Sequence, residues 1–280
     1  MVLQQKVDEI IVLALKEDMH YGDITTDILM DDMKQSRAQL VAKEKGVLAG
    51  CDIFARVFLL LNQNMALSFY KHDGDHVKKG DVIAEVSGQT KTLLKAERTA
   101  LNIIQRLSGI ATMTNQLVKE TEGIPVRIVD TRKTTPGLRA LEKYAVRVGG
   151  GYNHRFNLSD AVMIKDNHIH AVGSIKKAIT MAKAQIPHTM KVEIEVENLH
   201  QLQEALEAQA DIIMLDNMTI SQMKEAVSMA QGKAILEASG NITKDTIKEV
   251  VHTGVDVISV GAITHSVKAL DISLRFTTGL

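Results

Sequence analysis

The chain has 280 residues, 45% apolar and 24% charged, enough for a full core in one large or two unequal domains. A formal net charge of −1, 3% aromatic residues and no tryptophan exclude the basic footprint of a nucleic-acid binder and the aromatic faces on which single strands stack. With one cysteine, Cys51, no intrachain disulfide can form, which agrees with a reducing, cytoplasmic setting.

Val7, Ile10, Ile11, Ala14 and Leu15 recur at helical spacing and predict an amphipathic opening helix. Its apolar run, Ile10–Leu15, has acids on both sides, and a membrane span needs about 20 apolar residues, so neither a signal peptide nor membrane association is expected. Tyr21-Gly22-Asp23-Ile24-Thr25-Thr26 breaks the helix. Short strands are predicted within 38–48 and 66–87, joined by turns such as His72-Asp73-Gly74-Asp75. Cys51, just after Ala49-Gly50, reads as a small buried residue and not a nucleophile. Residues 74–81 resemble the hairpins of biotinyl and lipoyl carriers, but with no central Met-Lys-Met a structural hairpin is expected. Residues 96–117 read as a helix.

Beyond that helix the pattern changes. Apolar runs at 126–129, 161–164, 192–196, 212–215, 234–236 and 257–260 alternate with helical stretches at 174–184, 199–208, 221–230 and 243–251. Such alternation predicts a parallel sheet or barrel, and the later strands recur about every 21 to 23 residues, which suits a β/α barrel. A doubly wound open sheet is the competing topology, but no G-x-G-x-x-G follows a strand.

What ends each run is informative: Asp130 with Arg132 and Lys133, then Lys165, Glu195, Asp216, Ser239 and Gly261. The carboxyl ends of barrel strands carry the active site. Polar residues commonly end strands, and Glu193 and Glu197 are neighbours as plausible as Glu195, but six such ends in succession point to a site. Arg132, Lys133, Arg155 and Lys165 are cationic and His154 adds a donor, a set suited to a small polyanion. Glu195 and Asp216 would face a ribose, a bound Mg²⁺ or a developing positive charge. Ser239-Gly240-Asn241 and Ser259-Val260-Gly261 follow the last two strands, where barrel phosphate sites are often built. Gly149-Gly150-Gly151 is either another anion nest or a turn. Asp166-Asn167-His168-Ile169-His170 looks like a metal cluster, but no other His or Cys sits at a familiar zinc spacing. The 13 methionines are scattered as core filler.

The segments Thr131-Arg132-Lys133-Thr134-Thr135-Pro136-Gly137, Glu142-Lys143-Tyr144-Ala145-Val146, Gly150-Gly151-Tyr152-Asn153-His154-Arg155, Leu158-Ser159-Asp160-Ala161 and Ile164-Lys165-Asp166-Asn167-His168 resemble those of the quinolinate phosphoribosyltransferases. Gly22-Asp23-Ile24-Thr25-Thr26, Glu97-Arg98-Thr99-Ala100-Leu101-Asn102, Leu215-Asp216-Asn217 and Glu237-Ala238-Ser239-Gly240 match in the same order, so the resemblance spans nearly the whole chain. It implies an N-terminal α/β sandwich over 1–108, to which a tail at 268–280 returns. An incomplete, about seven-stranded β/α barrel of the type II phosphoribosyltransferase kind follows over 109–267. It also implies homodimers, or multiples of them, with a site completed by Arg98 of the neighbouring subunit. On the matching positions, Arg132, His154, Arg155 and Lys165 would hold the quinolinate carboxylates. Thr131, Lys133, Glu195, Asp216 and the loops Ser239-Gly240-Asn241 and Ser259, Gly261, Ala262 and His265 would hold phosphoribosyl pyrophosphate with Mg²⁺. The metal would be held by Glu195 and Asp216, directly or through water or substrate. Lys133, Lys165, Glu195 and Asp216 would be the catalytic set. Tyr152 stands where members often have His, and Asn241 where a second glycine is common.

The implied chemistry follows from charge. Pyrophosphate leaves the anomeric carbon through an oxocarbenium-like state as the pyridine nitrogen attacks, and cationic groups stabilise the leaving anion. The ribosylated ring nitrogen then acts as an electron sink while the adjacent carboxylate leaves as carbon dioxide. Two rivals are a barrel relative found with molybdenum-transport genes that ribosylates another acid, and a non-catalytic phosphate-sensing barrel. Arg132 and Arg155 favour a dicarboxylate over the first, and an intact Glu195 and Asp216 oppose the second.

Overall fold

In the computed structural model, which describes residues 4–277, the periodic residues Val7, Ile10, Ile11 and Leu15 are the buried stripe of helix α1 (Gln4–Asp18). Residues 1–3 of the expected first domain and 278–280 of the expected tail lie outside the described residues. After α1 come α2 (Ile24–Leu29), β1 (Gln35–Ala42), β2 (Gly46–Val47), α3 (Cys51–Leu61), β3 (Ala66–Phe69), β4 (His76–Val77), β5 (Val82–Gln89) and α4 (Thr90–Lys119). Next are β6 (Arg127–Val129), α5 (Arg139–Val148), β7 (Val162–Ile164), α6 (Asp166–Val172), α7 (Ile175–Lys183), β8 (Val192–Val196) and α8 (Leu199–Glu207). The chain ends with β9 (Ile212–Asp216), α9 (Ile220–Ala230), β10 (Ile235–Ser239), α10 (Ile247–Val250), β11 (Val257–Ser259), α11 (Ala262–His265) and β12 (Ile272–Phe276). Packing divides it into two compact units: the chain up to Asn115 with Thr134–Gly150 and the chain from Ser266, and Gln116–Lys133 with Gly151–His265.

The first unit is built on a four-stranded antiparallel sheet of order β12-β1-β5-β3. The returning tail supplies its edge, with Ala38 opposite Phe276 and Ala42 opposite Ile272. The Gly22-Asp23 break starts a helix as well as ending one, because Asp23 accepts the Thr26 N–H and caps α2. Helix α3 lies where only a gap between strands was expected. Its N-terminal residue Gly50 has φ +98° and no side chain to cap with. Asp73, from the turn before β4, accepts Gly50 N and Cys51 N at 2.8 and 2.9 Å instead. The start signal is therefore remote in sequence. Cys51 is buried, and burial followed by the Asp73 carboxylate pushes its thiol well above the ordinary range.

Helix α5 belongs to the first unit although its sequence lies beyond the 108/109 boundary expected between consecutive domains. Glu142 is fully buried and accepts Arg106 Nε at 2.8 Å and Thr135 N at 3.1 Å, while the Tyr144 hydroxyl donates to Asp73. Gly149 closes the helix, and a Cβ there would strike the Ala111 carbonyl and Thr114. Gly149 N and Gly150 N donate to Ala145 O and Arg147 O, so these two glycines form a helix end and not an anion nest.

The second unit holds a six-stranded parallel sheet of order β6-β11-β10-β9-β8-β7. Neighbours follow chain order round the sheet, and β6, first in the chain, sits beside β11, last in it. That cyclic order is a barrel's; a doubly wound sheet reverses its order at a switch point. The gap falls between β6 and β7, which end the sheet. On the open side of β6 lies the expected seventh strand, reduced to one parallel bridge, Val129 with Tyr152. Tyr152 N donates to Ile128 O at 2.8 Å and Asp130 N donates to Tyr152 O at 3.1 Å. Helices α7, α8 and α9 are capped by Ser174, Asn198 and Thr219, each accepting a main-chain N–H three residues on. Of the helix expected at 243–251 only the four-residue α10 forms, preceded by a turn in which Thr243 and Thr246 trade side-chain and main-chain hydrogen bonds.

Candidate active site at the carboxyl rim of the parallel sheet

Successive side chains on a strand face opposite sides, and in β8 this parity sorts the polar from the apolar. Val192, Ile194 and Val196 are fully buried on one face, whereas Glu193 and Glu195 share the other. The register carries the inner face across the sheet: Met163 opposite Glu193, Glu195 opposite Met214, and Met214 opposite Glu237. One residue-pair further on, Asp216 is opposite Ser239. Inner residues from five strands thus converge with the loop after β6 on a cavity of about 430 Å³.

Ten expected residues line it: Thr131, Arg132, Lys133, His154 and Arg155 from one side of the chain, and Lys165, Glu195, Asp216, Ser239 and Ser259 from the strand ends. Met163, Met214 and Glu237 line it as well and were not anticipated. The parity rule alone could have found Glu237, two residues before Ser239 and therefore on the same face. Arg98, Gly240, Asn241, Gly261, Ala262 and His265 are not lining residues. Arg98 is exposed on α4, in the first unit.

The cationic side is rigidly built. Asp130, fully buried, accepts His154 N at 2.8 Å and Asn153 Nδ2 at 2.7 Å, so this strand-end carboxylate anchors the 153–155 loop. Arg155 donates from Nη1 to Ala161 O at 3.1 Å and from Nη2 to Met163 Sδ at 3.4 Å. Burial first, and the charge of Arg132 second, pull the Arg155 pKa below its ordinary value. Lys133 N donates to Thr131 Oγ1 at 3.0 Å, and Thr264 Oγ1 donates to Lys133 O at 2.8 Å.

On the acidic side Glu195 pairs with the Lys165 ammonium. His168 Nδ1 accepts Lys165 N at 2.9 Å, which starts α6 and uses the histidine of the zinc-like segment as a cap. His154 Nε2 lies 3.2 Å from Glu193 and 3.6 Å from Glu237, both buried. Burial, then the Glu193 charge, pushes Glu237 up to about 7.

The glycine loops support the rim. Gly240 has φ +100°, and a Cβ there would collide with the Asn217 side chain. Asn241, the departure from glycine, has φ +50° in the left-handed region that asparagine tolerates, and its Nδ2 donates to Asn217 Oδ1 at 3.2 Å. A Cβ on Gly261 would lie 3.1 Å from His265 and 3.2 Å from Lys133, so that glycine lets the lysine stem pass. Tyr152, the other departure, carries the Arg127 guanidinium 5.2 Å from its ring centre.

An incomplete β/α barrel with cations and carboxylates gathered at the carboxyl rim defines a class of barrel protein that handles small anions. Residues 23–108 match the quinolinate phosphoribosyl transferase N-terminal domain, and residues 110–275 match its C-terminal domain. The chain belongs to the quinolinate phosphoribosyltransferase family. It is 40% identical over 291 aligned residues to a mitochondrial quinolinate phosphoribosyltransferase (decarboxylating) of Nicotiana glauca, covering 97% of this chain and 82% of that one. The crystal structure of NadC from Streptococcus pyogenes superposes with a TM-score of 0.95 at 46% identity, covering 99% of this chain and 98% of that one. The nicotinate-nucleotide pyrophosphorylase of Francisella tularensis gives 0.94 at 44%, with the same coverage of both chains.

Proposed function

We propose that this chain transfers the phosphoribosyl group of phosphoribosyl pyrophosphate to quinolinate, releasing pyrophosphate and carbon dioxide and giving nicotinate mononucleotide for NAD synthesis. The observation that carries it is the meeting of Arg132, Arg155, Lys133 and Lys165 with Glu195 and Asp216 around one cavity. Arg132 and Arg155 present forks to the two ring carboxylates, with Lys165 as a further cation. Lys133 and the rim hydroxyls of Thr131, Ser239 and Ser259 face the phosphates. Glu195 and Asp216 sit where an oxocarbenium-like sugar would develop positive charge. No protein nucleophile is needed; holding two polyanions in line contributes on the order of 7 to 11 kcal/mol.

Mg²⁺ fits the donor set, since Glu195 and Asp216 offer the hard carboxylate oxygens that ion prefers, directly or through water or substrate. When bound, it would neutralise the pyrophosphate leaving group. A homodimer in which the partner's Arg98 completes the site also belongs to this reading, supported by the exposure of Arg98 on α4. A single cysteine, unable to form an intrachain disulfide, suits a cytoplasmic setting; no described helix is long and apolar enough to cross a membrane.

The test is release of labelled carbon dioxide from quinolinate carrying the label on the carboxylate beside the ring nitrogen. Release that requires phosphoribosyl pyrophosphate is expected. Phosphoribosylation of another aromatic acid with quinolinate inert, or no turnover of either, would overturn it.

A further inference from the structure

At the cavity wall, His154, Glu193 and Glu237 bring one nitrogen and two carboxylates within 4.8 Å of each other, the spacing of a metal site. The histidine's other nitrogen argues against that use. Nδ1 accepts the main-chain N–H of Arg155 at 2.8 Å, so Nδ1 holds the lone pair. The ring proton then sits on Nε2, which faces Glu193 oxygens at 3.2 and 3.3 Å and Glu237 at 3.6 Å. A metal at Nε2 would need the opposite tautomer, setting an Nδ1–H against the Arg155 N–H.

We infer that Glu193 is a positioning residue: it holds the Nε2–H of His154 from the barrel interior, with Glu237 beside it at 3.6 Å, and the imidazole in turn fixes the Arg155 main chain beneath the substrate carboxylate. His154 thereby acts on the site through Arg155. The chain of contacts is continuous and nearly dry. Glu193 and Glu237 are each 3% exposed, and Asp130 grips the same loop through His154 N at 2.8 Å. Two acids placed on one inner face of the barrel have a reason to be there if they orient a cationic side chain two bonds removed from them. The inference rests on quinolinate being the acid held by Arg155.

Two measurements test it. In the wild-type enzyme, ¹⁵N spectra of the His154 imidazole are expected to show a pyridine-type Nδ1 and a pyrrole-type Nε2, with and without quinolinate. A protonated Nδ1, or a tautomer that changes when quinolinate binds, overturns the inference; this readout needs neither activity nor a variant that folds. The second is a double-mutant cycle on calorimetric quinolinate affinity. Glu193→Met is expected to weaken binding about tenfold, since small displacements of a positioning group are costly, and Glu193→Gln, which keeps an acceptor, is expected to restore it. In an Arg155→Ala background Glu193→Met should have no further effect. Losses that add independently overturn the inference, whereas failure of wild type to bind quinolinate at all would strike the functional reading and leave the tautomer result standing.

Discussion

If Arg155 holds a substrate carboxylate as proposed, truncating it to alanine should weaken acid binding by an amount the structure sets. Its guanidinium has five N–H donors, and the structure shows two of its nitrogens donating, to Ala161 O and Met163 Sδ. Three donors remain, enough for one bidentate fork. Each hydrogen bond to a charged group contributes about 1.5 kcal/mol at the low end, the end that suits a cavity open to water. The pair is then worth roughly 3 kcal/mol, or about 2 kcal/mol after solvent screening, which is roughly 30- to 150-fold in Kd. Arg132→Ala should fall in the same range. Phosphoribosyl pyrophosphate binding should change less than about threefold if, as proposed, Lys133 and the rim loops hold its phosphates. Calorimetric titration of each ligand into each variant measures both quantities. Equal losses for the two ligands would show that the arginines supply only a general positive field.

Glu195→Gln and Asp216→Asn should leave quinolinate affinity nearly intact while kcat and kcat/KM fall together, as for groups that act on charge developing in the transition state; steady-state kinetics at wild-type level in both would make them ordinary strand ends. Mixing inactive Arg98→Ala with inactive Lys165→Ala subunits should restore roughly a quarter of wild-type sites if the site is shared across a two-fold dimer; demonstrated subunit exchange without recovered activity would place Arg98 within its own chain or outside the site. Glu237 titrates higher in the folded chain, about 7 against an ordinary 4.5, so its contribution to stability is present at low pH and is lost as pH rises through about 7. Glu237→Gln should therefore gain on wild type in urea midpoint between pH 5 and pH 8, and a gap that stays constant across that range would mean Glu237 is not titrating there.

Strand ends were legible because a parallel sheet under helices imposes long apolar runs, and six polar or glycine ends in succession outweigh the ordinary polar strand end. Lys165, Glu195, Asp216 and Ser239 were found that way. Glu193 lies inside its run and Glu237 directly after a run, two residues short of Ser239, so parity and not position marks both as inner-face residues. Helix α3 was missed because its cap, Asp73, lies over twenty residues away in the chain. The shortened seventh strand at Tyr152 has no run at all: one bridge needs no apolar alternation. Asp130 shows the converse limit. It ends a run as the site residues do, yet its carboxylate is spent on the 153–155 loop.

The tail strand also bears on how the chain is made. Strand β12 hydrogen-bonds along β1, and Thr277 Oγ1 donates to Arg37 O across 240 residues of sequence. A ribosome therefore releases most of the catalytic sheet before the N-terminal sheet can close, and β1 waits throughout with one edge bare. Exposed edges invite association with other chains, and contacts so distant in sequence form slowly. The N-terminal unit is the first to be synthesised and the last to be finished. Nascent chains still tethered at their C-terminus should be more open to proteases in β1 than in β9, and a bulky C-terminal fusion would act on the yield of folded protein well away from the active site.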